Sequence, residues 1–427
     1  MSKSVVIRGG RVVDAYGERA ADVLIDDGRI AAVSDRGDLT ADLVLDAGGC
    51  VVAPGLVDLH THLRQPGKEE AETIETGARA AALGGFTCVL AMPNTSPPID
   101  SAGVAREVLE LGRGTCCDVR TSAAITVGRQ GTQLTPMAEL AGLGVRFFTD
   151  DGSGVQDGRL MRRAMEYATG LGVTLAQHCE DDVLAAGGAM NEGAWSSRLG
   201  IPGQPAEAEE VMVMRDVALA RLTGARVHFQ HLSTRRSVDL VAAAKAEGLP
   251  ATCEVTPHHF TLTDERCSTY DPVFKVNPPL RNDDDVAAVR AGLAGGTVDC
   301  IATDHAPHAP ETKEAPFDQA PSGMLGLETA LALALTQLGL PIDQALGLLS
   351  WRPSAILGVA EVHGGPIEPG RRANLCVVDP AARWTVDPAA LASRSRNTPY
   401  AGMTLTGRVR HTLLAGEPVV IDAEAQR

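Results

Sequence analysis

The residues with the clearest chemical potential in this sequence are histidines and aspartates at the ends of apolar, strand-like runs. The first of these runs ends in Asp58-Leu-His60-Thr-His62. Two histidines at positions i and i+2 of a strand point to the same side, so both imidazoles can reach one metal ion. An H-x-H pair alone is more often polar strand surface than a metal site. The pair therefore has to be judged together with the rest of the chain.

Four further apolar runs end in residues that can bind a metal, and each lies downstream of the H-x-H pair. They end in Asp150-Asp151, His178, His231 and Asp304. Five runs that each supply a histidine or an aspartate at the same end are poorly explained by coincidence. Four histidines and two aspartates exceed the needs of one tetrahedral zinc and fit two ions that share a carboxylate. Such a pair of ions activates water and polarises a carbonyl, as the hydrolysis of a stable amide requires. Strand alternation does not decide whether Asp150 or Asp151 is the shared carboxylate.

These runs belong to a series of eight β-type segments in the middle of the chain, with helix-prone stretches between most of them. The eight segments are 56–62, 87–92, 119–125, 145–151, 173–178, 226–231, 251–256 and 299–304. Eight β/α units over about 300 residues predict an α/β fold of the (β/α)8 TIM-like barrel type. A doubly wound open sheet is the alternative. The barrel is favoured because the polar residues fall at the C-terminal ends of the segments, where barrel enzymes carry their active sites.

Short strand-like segments separated by glycine-containing turns occur at both ends of the chain. The terminal strands are expected at 5–7, 22–25, 30–33, 373–378, 384–386 and 409–414. We expect residues 1–54 and 365–427 to pair into a small β-sandwich domain. The catalytic barrel, residues 55–364, would then be inserted between the two halves of that domain.

Composition and charge narrow the class of protein. Hydrophobic residues make up 44% and charged residues 22%, which is typical of a globular protein. The net charge of -16 argues against nucleic acid or an anionic membrane as the main partner. It still allows a small anionic substrate in a metal-lined pocket. The start of the chain has no apolar signal core, and no apolar run is long enough to span a bilayer, so a cytoplasmic location is expected. The nine cysteines contain no C-x-x-C pair and are expected to be reduced and buried.

Seven motifs together resemble those of the amidohydrolase superfamily and, within it, the bacterial class I dihydroorotases. The resemblance covers essentially the whole chain, and the set of motifs is far more specific than any one of them. The motifs are D-L-H-T-H-L-R-Q-P-G (58–67), A-M-P-N-T (91–95), F-F-T-D-D-G (147–152), Q-H-C-E (177–180), Q-H-L-S (230–233), K-V-N-P-P-L-R (275–281) and A-T-D-H-A-P-H (302–308).

The resemblance implies a centre of two zinc ions per chain. One ion would be held by His60, His62 and Asp304, and the other by His178 and His231. Asp151 and a hydroxide would bridge them. Many relatives bridge their metals with a carboxylated lysine instead. The five lysines of this chain are Lys3, Lys68, Lys245, Lys275 and Lys313, and none lies in the fourth segment. Their positions favour the branch of the family whose metals are bridged by aspartate.

The resemblance also implies a site for the carboxylate and ring of the substrate. Arg64 would bind the carboxylate as a planar cationic fork. Without the resemblance, Arg64 would be taken as a solvated loop charge and Asn277 as a turn residue before two prolines. The implied substrate residues are Arg64, Asn94, Asn277, His308, Ser322 and Gly323.

The implied reaction is the reversible cyclisation of N-carbamoyl-L-aspartate to L-dihydroorotate and water in pyrimidine (UMP) biosynthesis, with Asp304 as the proton shuttle. A hydantoinase or allantoinase is the nearest alternative, and a scaffold partner of aspartate carbamoyltransferase is another. Arg64 and Asp151 disfavour the first, and the intact ligand set disfavours the second as a replacement for catalysis. We expect a homodimer, and family analogy adds a possible association with aspartate carbamoyltransferase.

The remaining histidines receive no catalytic assignment. His258 and His259 are expected to support the site without binding metal, and His305 is left without a role. His228, His363 and His411 are expected to be structural.

Overall fold

The backbone of the chain is given by a computed structural model that describes residues 3–35, 37 and 39–427. The strands are β1 (Val5–Arg8), β2 (Arg11–Asp14), β3 (Gly17–Ala20), β4 (Asp22–Asp26), β5 (Arg29–Ser34), β6 (Leu43–Asp46), β7 (Val51–Pro54), β8 (Leu56–Thr61), β9 (Phe86–Ala91), β10 (Asp118–Thr121), β11 (Phe147–Phe148), β12 (Thr174–Gln177), β13 (Met190–Asn191), β14 (Gly203–Gln204), β15 (Val227–Phe229), β16 (Ala251–Val255), β17 (Cys300–Ile301), β18 (Leu375–Thr385), β19 (Thr404–Leu414), β20 (Glu417–Ile421) and β21 (Glu424–Ala425).

The helices follow most of the central strands. They are α1 (Ile74–Leu83), α2 (Ala102–Leu111), α3 (Met137–Gly142), α4 (Gly158–Leu171), α5 (Asp182–Ala185), α6 (Ala194–Leu199), α7 (Glu207–Thr223), α8 (Arg235–Ala246), α9 (Pro257–Thr261), α10 (Asp283–Gly295), α11 (Ala330–Gln337), α12 (Ile342–Leu349) and α13 (Trp351–Leu357). In the described part of the chain, none of these helices has the length and apolar character needed to span a membrane.

The eight central strands close into a parallel barrel. Strands β10, β9 and β8 form one sheet, and β11, β12, β15, β16 and β17 form a second. A parallel bridge between Ala123 and Phe148 joins the two sheets on one side, and a parallel bridge between Thr61 and His305 joins them on the other. Each of the eight predicted segments overlaps one of these strands. The barrel prediction is therefore confirmed, and the open-sheet alternative is wrong.

The barrel strands are buried on both faces, as parallel strands covered by helices must be. Every residue of β8 and β9 is buried. Phe147, Ala176 and Ala302 belong to one small apolar cluster. These three residues lie on or directly after β11, β12 and β17, the strands that lead to Asp151, His178 and Asp304.

Strands from both ends of the chain form two further sheets. One has the order β5-β4-β1-β6 and the other the order β21-β20-β19-β18-β7-β2-β3. Strand β7 joins the two ends because it pairs antiparallel with β18. The pairing of N-terminal and C-terminal strands agrees with the sequence prediction, while the partition of the chain into domains at residues 54 and 365 stays a prediction.

The seven-stranded sheet is covered on both faces at β7, which explains why every residue of this strand is apolar and buried. In β7, Val52 belongs to the apolar cluster shared with the four-stranded sheet, whereas Val51 and Ala53 belong to the larger cluster around the barrel. Successive side chains of a strand point to opposite faces, so one short strand serves two cores. The nine cysteines are likewise buried and carry free thiols.

Leu413→Ala should destabilise the protein because Leu413 is fully buried in the cluster between the two terminal sheets. We expect a loss of about 2–5 kcal/mol in the free energy of unfolding, measured by denaturant titration. Leu222→Ala is the matched control, since Leu222 on α7 is 61% exposed. The control should change the free energy by less than about 0.5 kcal/mol. Equal shifts in both variants would contradict the packing described for Leu413.

Candidate metal centre and substrate pocket

The predicted metal ligands come together at the C-terminal end of the barrel. His60 lies within β8, His178 directly follows β12, and the other ligands follow their strands by one to three residues. A pocket of about 220 Å³ opens at this end. It is lined by all predicted metal and substrate residues except His60, together with Gly152 and Ala306. His60 is fully buried.

Three of the site residues have left-handed backbones, which non-glycine residues seldom adopt. The φ angles are 62° at Arg64, 34° at His231 and 46° at Asp304. Such a conformation costs about 1–3 kcal/mol and persists only where the surroundings enforce it. Near Asp304 the surroundings include Asp58, which accepts hydrogen bonds from the backbone N–H groups of His60 and Thr303 at 3.1 and 3.0 Å.

Asp151 lies between two pairs of histidines. Its Oδ1 is 3.3 Å from His60 Nε2, 3.6 Å from His231 Nε2 and 3.7 Å from His178 Nδ1. Its Oδ2 is 3.5 Å from His62 Nε2. Two groups with metal-ligand spacing result, and Asp151 is common to both: one with His60 and His62, the other with His178 and His231.

Asp304 completes the first group. Its Oδ1 is 2.9 Å from His62 Nε2 and 3.5 Å from His60 Nε2. The histidine and aspartate donors thus form one continuous cluster at the floor of the pocket.

The donor atoms of this cluster fit metal ions. In the described part of the chain, the buried atoms His60 Nε2 and Asp151 Oδ1 have no hydrogen-bond partner. His178 Nδ1 and His231 Nε2 approach each other to 2.8 Å. Imidazole nitrogens and carboxylate oxygens that converge in this way, out of contact with water, are a donor set for a cation such as zinc.

The outer nitrogens of two ligand histidines are already engaged. His60 Nδ1 lies 2.7 Å from Glu254 Oε1, and His62 Nδ1 lies 2.8 Å from Asn94 Oδ1. Both acceptors require the proton on Nδ1, which leaves the Nε2 lone pair facing the carboxylates. The tautomer of each ring is thereby fixed for metal binding.

Asp150 and Asp151 have different surroundings. Asp150 accepts hydrogen bonds from the backbone N–H of Thr126 at 3.0 Å and from the Thr126 hydroxyl. Its carboxylate is therefore used to hold a neighbouring loop. Only Asp151 of the two faces the histidines.

The cluster concentrates charge in a region that excludes water. Burial acts to raise the pKa of Asp304, but His60 and His62 outweigh it and lower that pKa below its usual range. Burial likewise opposes the charge of Glu254, yet hydrogen bonds from His228 and His60 lower its pKa to about 2. The carboxylates raise the pKa of His60 in spite of burial, the largest single influence on it. A proton and a metal ion compete for the same Nε2 lone pair of His60.

Arg64 and His308 form one wall of the pocket. Arg64 Nε donates to the carbonyl of Pro307 at 3.0 Å, and its Nη2 lies 3.4 Å from His308 Nε2. His308 Nε2 is also 2.8 Å from the carbonyl of Ser322. Burial lowers the pKa of Arg64 to about 10, so its guanidinium stays charged at neutral pH.

Gly323 belongs to the same wall and cannot carry a side chain. Its φ is +144°, and a Cβ would lie 2.7 Å from His308 Nε2. Opposite, Asn277 lines the pocket, and its buried Oδ1 has no hydrogen-bond partner among residues 3–35, 37 and 39–427. Asn94 is engaged with the metal ligands: besides His62, it donates through Nδ2 to Asp151 Oδ2 at 3.4 Å.

Three residues around the cluster were missed by the sequence analysis. Glu254 bonds to His60, as described above. Arg129 Nη2 donates to the backbone carbonyl of Asp151 and to Ser153 Oγ. Glu180 Oε2 lies 3.7 Å from His178 Nε2 and accepts a hydrogen bond from Gln204. A charged residue inside an apolar segment was the available signal for Glu254, and the Q-H-C-E motif contained Glu180.

The histidines without an assigned role are buried in the neighbourhood of the site. His259 bonds to Thr256 and to the carbonyl of Pro278, next to Asn277. His258 packs against it, with ring centroids 4.5 Å apart. His305 Nδ1 accepts from the backbone N–H of Gly326 at 3.2 Å. None of the three is in a group with metal-ligand spacing among the described residues.

Comparison with known proteins agrees with this geometry. A family model described as "Dihydro-orotase-like" matches residues 49–237. A dihydroorotase from Streptomyces coelicolor is 48% identical, over 99% of this chain and 100% of the relative. A dihydroorotase from Mycobacterium tuberculosis is 49% identical, over 99% of each chain.

Solved structures agree on the fold. The L-hydantoinase (dihydropyrimidinase) from Arthrobacter aurescens superposes with a TM-score of 0.90 and 25% identity, over 100% of this chain and 98% of that chain. A D-hydantoinase superposes with a TM-score of 0.86 and 23% identity, over 99% and 96% of the two chains. The full-length similarity to curated dihydroorotases, together with the buried histidine–aspartate cluster, shows that this chain belongs to the dihydroorotase family of the amidohydrolase superfamily.

Proposed function

We propose that this chain interconverts N-carbamoyl-L-aspartate and L-dihydroorotate on two divalent metal ions, with Asp151 as the shared ligand and Asp304 as the proton shuttle. The activity follows from the family. The observation that supports the finer assignment is the position of Asp151 between two histidine pairs, beside the wall formed by Arg64 and His308.

The proposed ligands divide into two sets. His60, His62 and Asp304 hold one ion, His178 and His231 hold the other, and Asp151 contacts both. Imidazole and carboxylate donors in this number suit zinc. When bound, such ions lower the pKa of water and polarise a carbonyl oxygen. Zinc as the metal, two ions per chain, the homodimer and the association with aspartate carbamoyltransferase stay predictions.

The substrate would be oriented by the walls of the pocket. Arg64 binds the carboxylate of dihydroorotate, assisted by His308 and by Asn94, which also orients His62. Asn277 offers its unpartnered side-chain oxygen to a ring N–H, and the backbone at Ser322 and Gly323 completes the contact with the ring. An unpaired buried acceptor in a pocket is a ready partner for a substrate donor.

Asp304 moves the proton. In hydrolysis, water adds to the ring amide carbonyl, and Asp304 accepts a proton from this water. The carbon–nitrogen bond breaks, and Asp304 delivers the proton to the departing ring nitrogen. In synthesis, the ureido nitrogen attacks the side-chain carboxyl carbon. Asp304 takes the nitrogen's proton and passes it to the departing carboxylate oxygen, which takes a second proton from solution and leaves as water.

The purified protein should contain about two divalent ions per chain, and Asp151→Ala should lose at least one of them because the shared ligand is gone. Metal content is measured by plasma emission spectrometry after dialysis. Asp150→Ala is the matched control, because Asp150 bonds to Thr126 and should affect the loop without removing metal. Full occupancy in Asp151→Ala with loss in Asp150→Ala would reverse the assignment.

The wild-type protein should hydrolyse dihydroorotate far better than dihydrouracil, the same ring without the carboxylate. Arg64→Lys should raise the Michaelis constant for dihydroorotate by about 10- to 150-fold, since a charge-assisted hydrogen bond contributes about 1.5–3 kcal/mol and a lysine cannot form the two-pronged contact. The much slower reaction of dihydrouracil serves as the internal control and should be unchanged. A Michaelis constant for dihydroorotate that stays at the wild-type value would remove Arg64 from the substrate site.

Asp304→Asn keeps the shape of the side chain but removes the proton acceptor and a charged ligand. We expect the turnover number to fall by at least ~10²-fold in both directions. The zinc content of the same sample must be measured, because loss of metal would give the same result. Near wild-type turnover with two ions bound would show that another group carries the proton.

A further inference from the structure

We infer that Glu254 is a positioning residue for the metal centre. Glu254 holds the imidazole of His60 so that Nε2 would face a metal ion. The inference rests on the proposed role of His60 as a ligand. Glu254 lies on β16, with no contact to the pocket, and the mechanism above does not use it.

The geometry consists of a buried chain of hydrogen bonds across three strands. Glu254 Oε1 is 2.7 Å from His60 Nδ1 on β8, and Oε2 is 3.0 Å from His228 Nε2 on β15. His228 Nδ1 is 2.8 Å from the hydroxyl of Thr252, two residues before Glu254. All three side chains of His60, His228 and Glu254 are completely buried.

The hydrogen-bond inventory fixes the protons of this chain. An ionised carboxylate only accepts, so both histidines must donate to Glu254. His228 therefore carries a proton on Nε2, and its Nδ1 bonds to the hydroxyl of Thr252. His60 carries its proton on Nδ1, and its remaining lone pair, on Nε2, points toward Asp151. A histidine with a carboxylate behind it is both oriented and made a stronger electron donor to the metal.

The negative charge of Glu254 also requires a compensating positive charge nearby. Its only ion-pair partners within the described ranges are His60 and His228, with no lysine or arginine. A buried carboxylate without a positive partner costs several kcal/mol. The positive charge that balances Glu254 has to lie on or beyond the imidazoles that contact it, and a metal ion held at His60 Nε2 would supply it.

A purely structural role is the competing explanation, since Glu254 also joins β8, β15 and β16. The two explanations differ in what they predict for the metal-free protein. A structural glutamate stabilises the fold with or without metal. A positioning glutamate, whose charge is balanced by the metal, stabilises mainly the metal-loaded form.

The test is Glu254→Gln, which keeps the size of the side chain, removes the charge and leaves one acceptor oxygen for the two histidine N–H groups. We expect the dissociation constant for zinc, measured by competition with a chromophoric chelator, to rise by about 10- to 100-fold. The rise in melting temperature on adding zinc should shrink, because the metal-loaded form should lose more stability than the metal-free form. Glu254→Asp restores the charge on a shorter arm and should recover part of the affinity.

Asp22→Asn is the matched control. Asp22 is also a fully buried carboxylate that accepts backbone hydrogen bonds, from Gly9 and Gly37, but it lies in the four-stranded terminal sheet. It should lower the melting temperature without changing zinc affinity. Zinc affinity of Glu254→Gln within twofold of wild type, or a melting temperature lowered equally with and without zinc, would overturn the inference.

Two further measurements keep the outcomes separate. If Glu254→Gln does not fold, the 15N spectrum of selectively labelled histidine in the zinc-loaded wild type decides: a His60 signal without a proton on Nδ1 rejects the role of Glu254. If His60→Asn retains full zinc occupancy, the ligand assignment of the proposed function fails. If His60→Asn loses zinc but Glu254→Gln does not, only the present inference fails.

Discussion

The structure depends on how negative charge is compensated in the buried cluster at the C-terminal end of the barrel. Three carboxylates, those of Asp151, Asp304 and Glu254, lie among five imidazoles, and almost none of this surface meets water. Burying a charge without compensation costs several kcal/mol per ion. Under the proposed function, metal ions held by Asp151 and the histidines would supply the compensating positive charge. The left-handed backbones and the hydrogen bonds behind the rings of His60 and His62 help to keep the donors turned inward.

Much of the fold was predictable because burial on both faces leaves a plain signal in the sequence. All eight barrel segments were found as apolar runs, and their polar ends marked the mouth of the barrel. The lengths were less predictable: β11 and β17 contain only two residues each, although their apolar runs extend over six or seven. In both places the regular strand pairing ends early, and the irregular backbone that follows brings Asp151 and Asp304 into the histidine–aspartate cluster.

The residue types of the buried cluster were predictable, but the orientations of their side chains were not. Alternation failed to separate Asp150 from Asp151 because both lie beyond the strand, where the backbone turns and parity no longer applies. Thr126, from a different segment, captures Asp150 and so determines which carboxylate faces the histidines. Glu254 was hidden for a similar reason. Its contacts are formed only in the folded barrel. The register of β15 and β16 places His228 beside one carboxylate oxygen, and the closure of the barrel at β8 places His60 beside the other.

The closure of the barrel between β8 and β17 has a consequence for how the chain folds. His62 and Asp304 are 242 positions apart in sequence, yet their side chains are in contact where β8 and β17 meet. Asp58 also joins the two strands, because its carboxylate accepts a hydrogen bond from the backbone N–H of Thr303. Contacts between such distant residues form late, because a long loop must be ordered before any of them is made. Under the proposed ligand assignment, a nascent or partly folded chain could assemble the His178–His231 half of the centre from neighbouring strands, but not the His60–His62–Asp304 half. Tight binding of all the metal ions should therefore require that β8 and β17 have come together. Once bound, the ions should stabilise the closed barrel against local opening between these two strands.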